Sequence, residues 1–306
     1  MMVYLSTLAI LVSVAALIGL GLNFQWGVAG LVNFGVVGFV ALGAYATALT
    51  VPHLGWVLAM ALAAAISAAA STILAFLSVR LEEDYLAIVT IGFGEVINIL
   101  LLNEDWLTGG ALGIANIPRP FATIIPAAQY DNFLPLFAMG LVAVTFLVLE
   151  ALVRSPLGRA LRAVRDDPTA ASALGKPVLI LRIKAFAIGG AVMGIAGSLH
   201  AFYLTYIDPS QFTSIITAYA FMAVILGGRG SNFGLLVGAC TIISLIEATR
   251  FLKDALYAID GVQLFALRLG LVGIGIILLL LFRPQGLFAE PHKRVSDFFP
   301  DSKEPT

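Results

Sequence analysis

Stretches of apolar residues about as long as a bilayer is thick follow one another along almost the whole chain, with short polar breaks between them. A helix needs ~20 mostly apolar residues to cross the ~30 Å hydrocarbon layer. Runs of that kind lie at about 3–22, 27–50, 56–79, 85–102, 133–152, 185–206, 212–227, 234–252 and 264–282; the one at 212–227 is short and reads as tilted, broken or partly inserted. The pattern predicts an all-α, polytopic transmembrane helical bundle with about 8–9 membrane spans. Helices are expected because lipid offers no hydrogen-bond partner to an open backbone. The runs are also much longer than the alternating segments of a membrane barrel. No stretch suits a separate soluble domain, so 1–306 reads as a single transmembrane domain with a polar tail at 284–306.

Composition agrees with the pattern. The chain is 60% hydrophobic and 11% charged, and its 17 basic and 18 acidic residues are too few to cover a soluble surface of this size. The apolar run at the N-terminus has no basic residue before it and reads as a retained span rather than a cleaved signal. The single cysteine, Cys240, excludes an internal disulfide, and His53, His200 and His292 show no ligand spacing. Neither a metal nor a cofactor is expected in this chain, nor a nucleic-acid partner.

The distribution of charge sets an orientation. Arg154, Arg159, Arg162, Arg165, Lys176, Arg182 and Lys184 fall in the connection 154–184 against only Asp166 and Asp167. The connection 103–132 holds Glu104, Asp105 and Asp131 against Arg119. Basic residues in short loops stay on the cytoplasmic side, so the basic loop and the tail are expected inside and the acidic loop outside. With all nine spans real, the N-terminus lies outside. The 103–132 stretch, rich in Gly, Pro and Asn, suits an ordered external turn region, either lining an entry or simply connecting.

Signatures of catalysis are missing: there is no HExxH, no P-loop and no nucleophile elbow, and GGRGSNFG (227–234) reads as a tight turn between spans. Glu95, in the middle of a span, is the exception to the apolar pattern. A mid-membrane carboxylate costs about 2.5–3.5 kcal/mol on insertion scales and faces an interior, a partner or water. With Asn98 on nearly the same face and Gly92 and Gly94 thinning the helix, it reads as a pathway or gating element, or as a neutral packing group. Asn33 either lines a route or ties two helices together, and the tie is the expected role. Glu150 and Glu247, near helix ends, are expected to reach headgroups or water, and His200, Tyr203 and Tyr206 to mark a membrane edge. The small residues of 27–46 and 186–201 are expected to let helices approach closely.

The basic loop has its own design. Leu157, Leu161 and Val164 repeat at helical spacing, and Arg159, Arg162, Arg165 and Asp166 fall off that face. Asp167 suits an N-cap and Pro168 the first position of a second helix. Ala170, Ala171 and Leu174 then lead to Gly175, placed to end it. Two short amphipathic helices meeting at Asp-Asp-Pro are expected. Positive-inside bias and anionic lipid explain the arginines; a docking element, an apolar anchor ringed by charge, explains the caps and the apolar stripe as well.

Taken together, GLVNFGVVGFVALGAYA, DYLAIVTIGFGEVINILL, LTGGALGIANIPRP, SPLGRALRAVRDDPTAASALG and FRPQGLF, spread over residues 30–288, resemble segments of permease subunits from bacterial ABC importers of the branched-chain amino acid type. The second, third and fourth resemble the larger of the two paralogous permeases. The resemblance implies a multi-pass subunit of the bacterial inner membrane forming half of a translocation pathway. It implies as partners a paralogous permease, two cytoplasmic ATPases that bind ATP and Mg, and an external substrate-binding protein. It makes the segment from Gly158 to Gly175 a coupling-helix loop for the ATPase, similar to a Glu-Ala-Ala-x3-Gly pattern with Thr169 where that pattern has Glu. Asn98 stands where many relatives have a basic residue. Related permeases handle urea and short amides, which stay open as substrates. An ion-coupled secondary transporter using Glu95 and a channel are the rival classes.

Overall fold

The computed structural model of the chain describes residues 2–77, 83–122, 124–255 and 286–288, with isolated positions between 270 and 281. Helices α1 (Met2–Leu22), α2 (Val36–Leu77) and α3 (Glu83–Asn103) are followed by the short α4 (Asp105–Thr108). After α5 (Ala127–Arg154) come the small α6 (Pro156–Asp166) and α7 (Pro168–Ala173), then α8 (Val178–Leu204), α9 (Ser214–Gly227) and α10 (Asn232–Ala255). Six helical segments among the described residues are long and apolar enough to cross a membrane, and a seventh apolar stretch covers Asn232–Ala248.

The count is lower than the predicted spans in part because α2 contains two of them. Its 42 residues would be ~63 Å long if straight, about twice the hydrocarbon layer. Pro52 and Gly55 divide it: Gly55 has φ 74° and ψ 166°, a conformation outside any helix. The two limbs lie side by side, and the Ser67 hydroxyl donates to the Phe39 carbonyl at 3.0 Å across them. The span expected at 27–50 is also displaced. α1 runs on as a π-helical turn, Asn23–Val28, and helix resumes only at Val36, so 29–35 is a break. α5 and α8 start earlier than expected, at Ala127 and Val178. Most of the run at 264–282 and nearly all of the tail lie outside the described residues.

Small residues hold the centre together. A side chain at Gly43 would collide with the Gly194 backbone, and one at Gly197 with the Val40 carbonyl. On the other limb, Gly190 and Gly194 press on Ser67 and Ser71. α8 is thus clasped by both limbs of α2, and Thr47 joins Ser198 hydroxyl to hydroxyl at 2.7 Å. The two small-residue stretches of the sequence pack against each other, as close backbone approach requires. α9 and α10 form a second close pair at Gly227, Gly234 and Gly238.

The bundle has two unlike ends. One carries α6, α7, the 29–35 break and the α9–α10 turn; there the Leu287 and Phe288 amides donate to the Leu226 and Gly227 carbonyls at 2.9 and 3.0 Å. The other carries the fold-back of α2 and the 104–126 connection. That connection is ordered by α4, a 3-10 turn at Gly110–Leu112 and an antiparallel bridge between Ile114 and Ile207. Trp56 packs its ring on Phe121 and Phe137 beside it. The basic and acidic connections therefore sit at opposite ends, as the charge pattern predicts.

Candidate coupling site and pathway residues

Local rules build the α6–α7 loop. The Ser155 hydroxyl accepts from the Leu157 amide at 3.2 Å, with Pro156 opening α6. Leu161 and Val164 are buried and Leu157 is half-buried, so the apolar stripe faces the bundle. Gly158 is buried where any side chain would strike the Val153 carbonyl, which lets α6 turn sharply off the end of α5. The Asp167 carboxylate accepts from the Thr169 and Ala170 amides at 2.8 and 2.9 Å and caps α7, which Pro168 opens. Gly175, at φ 75°, ends it in a left-handed turn, with the Lys176 amide donating to the Ala171 carbonyl at 3.0 Å.

The residues assigned to docking do not share one surface. Pro168, Ala170, Leu174 and Gly175 are exposed, and Leu174 is 81% so; Ala171 is buried. Arg159, Arg162, Arg165 and Asp166 instead line a cleft on the α5 side. Of these, Arg165 is largely enclosed: its guanidinium pairs with Asp166 at 3.0 Å and donates to the Gly27 carbonyl at 2.6 Å. Its aliphatic stem lies over Gly30, whose φ of 75° and lack of a side chain make room for it. One arginine thus joins α6 to the start of the break.

The break itself is held by buried amides. The Asn33 side chain donates to the side-chain Oε1 of Gln25 at 2.7 Å and accepts from the Gly35 amide at 2.9 Å. Gln25 donates to the Phe186 carbonyl at 3.0 Å, which also accepts from Ser71 at 2.6 Å. Asn33 thus pins the break to Gln25, and Gln25 carries the link on to α8, whose Phe186 carbonyl also meets Ser71 of α2. A second chain runs alongside: Asn23 donates to Asn232 at 3.0 Å, and Asn232 to Glu150 at 3.0 Å. Glu150 also pairs with Arg154 at 2.8 Å, so it bridges α5 to α10 instead of reaching for headgroups. Glu247 is buried, against expectation. Sequence reasoning passed over Asn23, Gln25 and Asn232; the spacing of Asn23, Gln25 and Asn33 inside one apolar region was the available signal.

Glu95 and Asn98 both lean on the approach to α9. Asn98 donates to the Phe212 carbonyl at 2.9 Å, and Ser214 donates to Glu95 at 3.2 Å. Glu95 and Ser214 are nevertheless exposed on the chain's surface, as is Phe34, which stacks on Phe221 with ring centres 4.4 Å apart. Gly94 packs α3 beside the break, where an added Cβ would lie 3.5 Å from the Gly35 Cα, whereas Gly92 faces open space. The break, α3 and α9 thus present one face with a carboxylate in the middle of otherwise apolar helices. Lipid contact there is disfavoured by about 2.5–3.5 kcal/mol.

The family model for the permease component of the branched-chain amino acid transport system matches residues 4–281. The chain belongs to that permease family. It is 36% identical over 305 residues to the high-affinity branched-chain amino acid transport permease LivM of Salmonella typhimurium, covering 92% of this chain and 69% of the relative. LivM of Escherichia coli is similar to the same degree. LivH of Escherichia coli is 28% identical over 91% of this chain and 92% of its own length, so the permease stands nearer the LivM side of the pair. No solved structure matches it. A permease component is a transport subunit and not itself a catalytic one.

Proposed function

We propose that this multi-pass membrane permease forms half of the pathway of an ATP-driven importer for branched-chain or related amino acids, in the bacterial inner membrane. The basic end faces the cytoplasm. Leu174 and the small residues around it on α7 seat in a cytoplasmic ATPase, two of which bind the ATP and Mg, and a paralogous permease covers the Glu95–Ser214–Phe34 face to complete the pathway. An external binding protein delivers the substrate to the opposite end. The observation that carries this reading is the exposed apolar tip on a rigid, doubly capped helix pair, tied through Arg165 to a broken helix beside Glu95. Motion of the ATPases would move the loop, and the loop the break.

Reconstitution of the chain and its paralogue in vesicles, with and without the ATPases, tests it. Uptake is expected only with ATPase and ATP; gradient-driven uptake by the permeases alone would overturn it in favour of an ion-coupled transporter. Gly175→Pro, which cannot adopt φ 75°, should abolish uptake while insertion is retained. Glu95→Gln should lower uptake without lowering expression, and an unchanged rate would make Glu95 a packing group.

A further inference from the structure

Between α5, α6 and the α9–α10 turn lies a cleft of about 1200 Å³. Its lining has two parts. Phe146, Leu147 and Phe233 form an apolar wall, and Leu147 and Phe233 are 65% and 56% exposed. Arg154, Arg159, Arg162 and Arg165 form a cationic rim with Glu150 and Asp166. Among the described residues of the rim, four guanidiniums stand beside two carboxylates. Both carboxylates are already engaged, Glu150 by Arg154 and Asn232, Asp166 by Arg165.

The two parts lie at different depths. Leu147 and Arg154 are two turns apart on α5, which puts the α5 part of the apolar wall ~10 Å further along that helix from this end than Arg154. A soluble anion would use the rim alone and leave the aromatic wall bare. An amphiphile uses both, and basic pockets between helices at a membrane surface suit anionic headgroups. We propose that this cleft holds a membrane phospholipid, its anionic headgroup on the arginines of α5 and α6 and its acyl chain along Phe146, Leu147 and Phe233. The α6 arginines then serve the lipid and steady the loop from behind, while α7 alone presents the tip to the ATPase.

The assignment rests on the basic end lying at a membrane surface, and its test needs neither ATPase nor substrate. The full chain in detergent micelles is mixed with phosphatidylglycerol or phosphatidylcholine, and bound lipid is counted by native mass spectrometry. Phosphatidylglycerol should be retained in preference, and Arg154→Gln and Arg159→Gln should each weaken that preference about fivefold. Lys176→Gln, at the same end but outside the cleft, should leave it unchanged. Equal retention of both lipids, an equal loss in Lys176→Gln, or displacement by millimolar inorganic phosphate would overturn the proposal. Should the arginine variants fail to fold, Leu147→Trp supplies the second readout. Its added fluorescence should be quenched more by brominated phosphatidylglycerol than by brominated phosphatidylcholine, and equal quenching counts against the site.

Discussion

The α6–α7 loop and the 23–35 stretch, the π-helical turn with the break after it, are both polar interruptions of an apolar chain, yet they are held by opposite means. The loop closes its caps and turns within two to five residues: Ser155 to Leu157, Asp167 to Thr169 and Ala170, Ala171 to Lys176. The break closes its own across the fold, Gln25 to Phe186 and Asn23 to Asn232. Local order can survive a change in the surroundings; order borrowed from distant helices cannot. Under the proposed coupling, the loop would travel as a unit and the break would respond as its neighbours shift.

Substitutions can probe this contrast, beginning with the most damaging. Gly27→Val places a branched side chain against Asn23 and the Gly230 backbone, which no rotamer relieves. Folded protein recovered by size exclusion in detergent should fall to background, whereas near-normal recovery would mean the break is loosely packed. Gln25→Leu strips Asn33 and Phe186 of a partner at once. It should lower stability by about 1–3 kcal/mol, seen as a lower Tm of the whole chain. Asp167→Ala removes the α7 cap and should cost about 1 kcal/mol, confined to the loop. Hydrogen exchange at the α7 amides should quicken while the global Tm holds, and a global loss on the scale of Gln25→Leu would erase the distinction.

The same contrast explains what the sequence disclosed. Caps, the Asp-Pro junction and the closing glycine obey rules of short range, so the two small helices could be placed residue by residue. Small-residue spacing marked 27–46 and 186–201 for close packing, but not that they pack on each other through Gly43 and Gly194. Hydropathy marks membrane-length runs and ignores where a helix lets go, so the break passed unseen inside a span. Glu150 looked free to reach water because Asn232 lies 82 positions away. The direction in which Arg159, Arg162 and Arg165 point depends on how α6 lies against α5, which no helical wheel of α6 alone contains.

Arg165 has a practical consequence for anyone exchanging parts between permeases. A segment with its own caps invites grafting, and a chimaera carrying a foreign 155–176 would keep both small helices. It would fit only a host that offers the Gly27 carbonyl and a bare Gly30 to that guanidinium and its stem. The smallest transferable unit is therefore discontinuous, the loop together with the residues 27–30 turn that receives it.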